Sequence, residues 1–417
     1  VFVAGGVDQP RGWFFTLHAI ATMVFDSVSY KAVVSNGLVL DKNGNKMSKR
    51  LGNAVDPFAT IEQYGSDPLR WYMITNASPW DNIKFDIDGI EEVRRKFFGT
   101  LYNTYSFFAL YANVDGFDYS EPDVDWKERP EIDRWILSLL NSLVKDVDGF
   151  LDTYEPTRAG RAISDFVNDN LSNWYVRRSR QRFWGKELTQ DKINAYKTLY
   201  TALVTTAKAA APMIPFMTED IYQNLVRSVD HTDPESIHLC DFPVANEVYI
   251  DAELEKNMDE VLKIVVMGRA CRNSANIKNR QPIGNMYVKA PNVLPEYFVE
   301  IIEDELNVKK VNFKEDVSAY TSYTFKPQLR TVGPKYGKFL GQIQKALAAL
   351  DGNAAMAELR ANGVLALPSV DESVKLAEED LLITMTQMEG YVTEGDNTVT
   401  GVLDTNLTPE LMQEGFV

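Results

Sequence analysis

At 417 residues the chain is longer than one ordinary hydrophobic core serves, which predicts two to four domains. Its 45% hydrophobic and 24% charged residues exclude a disordered or fibrous chain, and no run reaches the roughly 18 apolar residues of a membrane span. With 43 Lys and Arg against 59 Asp and Glu, the net charge of −16 excludes a general nucleic-acid binder, because neutralising phosphates takes an excess of cations.

The opening Val1–Gly6 has no initiator Met, basic region or long apolar core and reads as a chain entered mid-domain, while Thr408–Val417 stops without tapering. Val33-Val34 and Leu38-Val39-Leu40 predict short strands, and Asn43-Gly44 predicts a tight turn. Helices are expected near Ile61–Tyr72 and Ile90–Tyr111. From Ile132 the apolar residues Ile136, Leu139, Leu140, Leu143, Val147, Phe150 and Leu151 recur at three- and four-residue steps to Tyr154, one stripe of a long helix. Pro156 ends it. A second helix is expected over Thr157–Phe183, a third over Ile193–Ala211, and a fourth from an N-cap at Thr218 with first-turn acids Glu219 and Asp220. Antiparallel helices with short loops predict a bundle. Beyond a helix at Ala252–Asn276, strands at Met286–Lys289, Lys309–Phe313 and Thr398–Leu403 alternate with helices at Pro295–Leu306, Leu340–Leu350 and Ala354–Asn362, an α+β pattern.

Cys240 and Cys271 are too few for a disulfide framework or a four-ligand zinc site, and His18, His231 and His238 lie in separate segments. Structural roles suit all five, and a reducing, cytoplasmic setting follows. Cations concentrate in two acid-free stretches. Between Asp169 and Glu187 stand Arg177, Arg178, Arg180, Arg182 and Lys186; between Glu260 and Glu296 stand Lys263, Arg269, Arg272, Lys278, Arg280 and Lys289. Such islands on an acidic protein predict localised contact with a polyanion.

The segment richest in chemistry is Lys46-Met47-Ser48-Lys49-Arg50, followed by Gly52-Asn53. Three cations within five residues, directly after a turn, suit a loop that follows charge developing on a phosphate during displacement. A solvated basic loop has the same composition. A Walker A loop is excluded, since the upstream glycine is missing at the required spacing.

Lys46–Arg50 resembles the second signature of class I aminoacyl-tRNA synthetases, and Gly6-Val7-Asp8-Gln9-Pro10-Arg11-Gly12-Trp13-Phe14 resembles a segment of their isoleucine-specific family. The likeness continues through Tyr64–Arg70, Asp133–Leu137, Leu171–Arg180 with Arg182-Phe183-Trp184, Ala211–Phe216, Arg280-Gln281-Pro282 and Leu403-Asp404-Thr405, thinning after about residue 290. The resemblance implies that Asp8 and Gln9 contact an aminoacyl-adenylate and that Trp13 walls the isoleucine pocket. It implies that Lys46 and Lys49 are catalytic, neutralising ATP phosphates with Ser48 beside them. On residues alone, Trp13 reads first as a core aromatic, and Asp8 with Arg11 equally as a surface pair. Gly5 stands where that family usually carries Glu. Arg177, Arg178, Arg180, Arg182 and Trp184 become candidate tRNA contacts, with a solvated helix face as the plain alternative.

These readings combine into a multidomain, mostly α protein. They place a partial α/β Rossmann-type catalytic end with the signature loop at 1–70, a connecting region at 71–128 and a helical anticodon-binding bundle at 129–245. A linker helix follows at 246–285, then a C-terminal α+β domain at 286–417. The implied activity of the full protein is ATP- and Mg²⁺-dependent ligation of isoleucine to tRNA-Ile. The protein is expected to be monomeric, off the membrane and without zinc in this chain, which alone is expected to be inactive because the His-x-Gly-His nucleotide signature and the editing domain are not in it. The alternatives are a non-catalytic tRNA-binding or regulatory derivative, or a valine- or leucine-specific relative.

Overall fold

The computed structural model describes residues 2–395 and 398–415, with backbone alone at 385 and 386. Val1 and Phe416–Val417, which enter the reading of the two chain ends, lie outside the described residues. The chain divides into two compact units, one up to Glu255 and one from Lys256 onward.

The first unit opens with β1 (Phe2–Gly6), α1 (Trp13–Phe25) and β2 (Ala32–Asn36), and β1 pairs parallel with β2, as a strand–helix–strand crossover requires. A second parallel pair joins β3 (Val39–Leu40) to β4 (Ile83–Lys84). Between them lie α2 (Pro57–Tyr64), capped by Asp56, and α3 (Ser66–Asn76). The sequence predicts one helix here, but Gly65 at φ +88° breaks it in two, a conformation glycine alone takes without strain.

Helices α4 (Ile87–Val93) and α5 (Gly99–Asp115) follow as one rod joined by a π turn at Arg94–Phe98, and Trp71 of α3 stacks on Phe97 at 4.3 Å. The bundle proper comprises α6 (Glu131–Asp152), α7 (Pro156–Asp165), a π-helical stretch Phe166–Val176, α8 (Arg177–Trp184), α9 (Gln190–Ala210) and α10 (Pro215–Tyr222). The stripe read in α6 is its buried face: Ile136, Leu140, Leu143 and Val147 are all inside. The expected N-cap at Thr218 is corrected. The helix begins at Pro215, whose fixed φ suits a first turn, and the Thr218 hydroxyl donates back to Ile214 O.

Side chains clamp α3 to this bundle. Arg70 donates to the carbonyls of Met213 (2.9 Å) and Pro212 (3.0 Å), and Arg161 of α7 donates to those of Thr75 and Asn76. The Thr157 hydroxyl donates to Ile74 O at 2.7 Å. The buried Asp67 carboxylate accepts from the backbone of Phe216 and Met217 at the start of α10.

Helix α11 (Ala252–Ser274) leads into the second unit. There β11 (Tyr391–Gly395), β12 (Thr400–Asp404), β5 (Ile283–Lys289) and β6 (Val308–Phe313) form a sheet in that order, with α12 (Glu296–Leu306) between β5 and β6 in the chain. A second lobe pairs β7 (Thr321–Pro327) with β10 (Leu381–Gln387). Around that pair lie α13 (Leu329–Tyr336), α14 (Leu340–Ala349), α15 (Gly352–Asn362) and the hairpin of β8 (Val364–Ala366) with β9 (Lys375–Ala377). Its core is Phe325, Val332, Ile343, Leu347, Leu365 and Leu376. A short helix, α16 (Pro409–Glu414), closes the described chain.

Candidate functional site

The Lys46–Arg50 loop is held from behind. Asp41 accepts from the backbone N–H groups of Asn43 (3.0 Å) and Asn45 (2.8 Å), and Gly44 turns the chain at φ +86°. Asn53 ties both ends: its amide donates to Asp41 (2.9 Å) and to Lys46 O (3.3 Å), and its oxygen accepts from the Ser48 N–H at 2.8 Å. Asn53's hydrogen bond, with the Asn45 and Asn43 backbone, holds the Asp41 carboxyl below its ordinary range. Ser48 caps the short turn Lys49–Leu51 by accepting from Arg50 N–H, so its oxygen already serves the loop. Met47 points inward against the cluster of Tyr72, Ile83, Phe85 and Ile90. Beneath it lies a cavity of about 260 Å³ walled by Val39, Met47, Val55, Leu69, Met73 and Phe85. Lys46, Lys49 and Arg50 are exposed, the arrangement of a polar hairpin presenting cations outward from one buried anchor.

The Asp8–Phe14 segment turns off the end of β1. Asp8 accepts from the Gln9 amide at 2.8 Å, Gln9 O accepts from Gly12 N–H, and Gln9 Oε1 reaches Trp13 N at 3.4 Å. Trp13 is 44% exposed in this chain, and Phe14 behind it is the buried ring. A Cβ at Gly5 would stand 2.9 Å from the Phe14 ring, which accounts for a residue without a side chain at that position.

In the bundle the arginines separate. Arg177, Arg180 and Trp184, three and four residues apart on α8, form one exposed stripe. Arg177 donates to Asn173 O at 2.9 Å, and its guanidinium lies 5.6 Å from the Trp174 ring, with Arg178 at 5.7 Å. Trp174 itself is buried. Arg182 turns the other way, which corrects its expected role as an RNA contact. It forms a bidentate pair with the fully buried Asp133 (2.7 and 2.8 Å) and a second with Asp191 (2.9 and 2.8 Å), while Tyr175 donates to Asp133 at 2.7 Å. Burial opposes the guanidinium's charge, yet Asp133 outweighs it and raises the Arg182 pKa. Lys192 and Lys197 are also internal, facing Asp115 and Asp123. The stretch without acids gave no warning, because these carboxylates come from elsewhere in the chain.

The second basic island also disperses. Arg272 is buried and donates to the carbonyls of Leu306, Lys278 and Gln281, burial lowering its pKa to about 10. Arg269 pairs with Glu305. Among the described residues no three His, Cys, Asp or Glu side chains gather as a metal-ligand set, and no helix is long and apolar enough to cross a membrane.

Comparison with known proteins fits this division. Residues 1–86 match the family of tRNA synthetases class I (I, L, M and V), and residues 133–287 match the anticodon-binding domain of tRNA ligase. The chain is 54% identical over its whole length to the isoleucine–tRNA ligase of Bacteroides fragilis and 50% identical to that of Porphyromonas gingivalis, spanning 37% and 36% of those proteins. The Clostridium tetani isoleucine–tRNA ligase is 47% identical over 99% of the chain, which spans 40% of it. Among solved structures, the LeuRS–tRNA–LeuAMS ternary complex of Agrobacterium radiobacter K84 matches at a TM-score of 0.48 and 17% identity, over 60% of this chain and 29% of that one. The chain belongs to the class I tRNA synthetases, in the family of the isoleucine–tRNA ligases.

Proposed function

We propose that the protein to which this sequence belongs activates isoleucine with Mg²⁺-ATP and transfers it to tRNA-Ile, and that this chain contributes the phosphate-facing loop and the tRNA-binding bundle. The observation that carries the reading is the pinned loop, with Lys46 and Lys49 exposed on a frame fixed by Asp41 and Asn53. A preorganised cation needs no reorganisation as charge builds on the α-phosphate, so its stabilisation is realised in the transition state. Lys49 takes that role and Lys46 holds the ground-state phosphates. Asp8 and Gln9 contact the adenylate, the Ser48 hydroxyl, which accepts from Arg50 N–H, has its own proton to donate beside them, and Trp13 bounds the isoleucine side chain. The parallel β1–α1–β2 unit supports a Rossmann-type catalytic domain.

The test is isoleucine-dependent ATP–pyrophosphate exchange. Lys49→Ala in the full-length protein should slow adenylate formation by about 10²–10³-fold, typical of losing one transition-state donor. Isoleucine affinity should hold. A normal rate with weakened isoleucine binding would overturn the assignment. The 417-residue chain alone should give no exchange above background, because its sequence has no His-x-Gly-His segment to hold the nucleotide.

A further inference from the structure

Among the cations of the dispersed second island, Lys289 lines a cavity. Lys289, at the end of β5, opens into a cavity of about 460 Å³ in the second unit, shared with Asp316, Ser318, Tyr323, Arg360 and Thr400. That volume lies within the range of small-ligand sites, roughly 300–1,000 Å³. Its walls come from three places: the β5–β12 edge, where Thr400 pairs with Lys289, the loop before β7, and α15, which carries Arg360.

The charges are arranged for an anion. Asp316, the carboxylate lining the cavity, is turned onto its own loop, accepting from the Ser318 N–H (2.9 Å) and hydroxyl (2.5 Å). Those bonds, and then Lys289 and Arg360 nearby, keep it ionised. Among the described residues neither Lys289 nor Arg360 closes an ion pair with a carboxylate. Arg360 instead lies 5.8 Å over the Tyr323 ring, which orients its guanidinium. Two cations and the Thr400 hydroxyl offer more donors than a carboxylate's two oxygens use, and a phosphate fills them better. Beside the cavity, Tyr287 lies two residues before Lys289 on the same strand and so on the same face. It stacks on Tyr320 at 4.6 Å, Tyr391 lies 4.8 Å from Tyr320, and Lys314 sits 4.5 Å from the Tyr287 ring centre. An aromatic sheet face beside a phosphate pocket is how proteins hold unpaired nucleotides.

We propose that the cleft between Lys289 and Arg360 is a phosphate-ester site, taking either a nucleotide monophosphate or a backbone phosphate of unpaired RNA. The experiment titrates this chain with inorganic phosphate, AMP and a short oligouridylate by calorimetry and fluorescence anisotropy. The Lys289→Gln/Arg360→Gln double variant is compared with Arg330→Gln/Lys345→Gln, an exposed pair in the same unit with the same charge change. Binding of phosphate and AMP identifies the monoester. Binding of RNA alone identifies the backbone, and its log–log salt slope should then shrink by about 1.4 units in the site variant, at roughly 0.7 per contact. In either case the site variant should lose about tenfold or more in affinity, as removal of charge-assisted hydrogen bonds requires, with an unchanged thermal transition. No binding of any probe, or equal losses in the two double variants, would overturn the proposal. The readout is binding and not aminoacylation, so its failure leaves the function proposed above standing.

Discussion

Arg182 shows how far a side chain's role depends on partners remote in sequence. Removing it leaves the fully buried Asp133 with only the Tyr175 hydroxyl among the hydrogen bonds described, an uncompensated charge that typically costs about 3–5 kcal/mol. Arg182→Ala should therefore lower the urea midpoint sharply, whereas exposed Arg180→Ala should stay within about 0.5 kcal/mol of wild type. Equal stability of the two variants would return Arg182 to the surface. At the signature loop the motif itself was legible, as was the turn at Gly44, because both are local. What fixes the loop was not: Asn53 reaches back twelve residues to Asp41, a contact no periodicity announces. Because the folded Asp41 pKa is lowered, its contribution to loop order is present above the ordinary carboxylate value of 3.8 and is lost as pH falls through the lower folded value. Backbone amide exchange at Asn45 and Ser48 followed by NMR should rise only in that acid window.

Among the elements, the long apolar stripe of α6 was readable since that helix buries one face against its neighbours, whereas α9 is buried all round from Lys192 to Leu199. The pairing of β7 with β10 was not readable, because its strands lie some sixty residues apart in the chain and pair antiparallel across an intervening helical lobe. The stretch Phe166–Val176 adds a subtler departure. Its i→i+5 hydrogen bonds change the phase of the helix before α8 begins, so a wheel drawn at 100° per residue misassigns the faces beyond it. The exposed stripe is Arg177, Arg180 and Trp184. Replacing Arg177 and Arg180 with Gln should weaken tRNA-Ile binding by the full-length protein and reduce its log–log salt slope by about 1.4–1.8 units, at roughly 0.7–0.9 per phosphate. Neutralising the exposed Arg95 and Arg158 should change neither. Filter binding across a salt series separates these outcomes, and identical slopes for all three proteins would remove α8 from the interface.

For the molecule as a whole, a charge of −16 repels polyanions at long range while a few exposed arginines and lysines accept them at short range. Duplex DNA should therefore compete for tRNA about tenfold or more weakly than unlabelled tRNA-Ile near physiological salt, where screening extends only about 8 Å. Equal competition would mean that charge alone governs binding. The clamps on α3 carry a mechanical consequence. Leu69 and Met73 of that helix form the floor beneath Met47, while Arg70, Thr75 and Asp67 of the same helix are gripped by α7, α10 and the segment joining α9 to α10. The helix is thus a beam fixed to the bundle along one edge and bearing the signature loop on the other. A displacement of α7 or α10 must either shear those hydrogen bonds or move the loop's footing with it. Strain imposed where the bundle grips is delivered to the base of Lys46–Arg50.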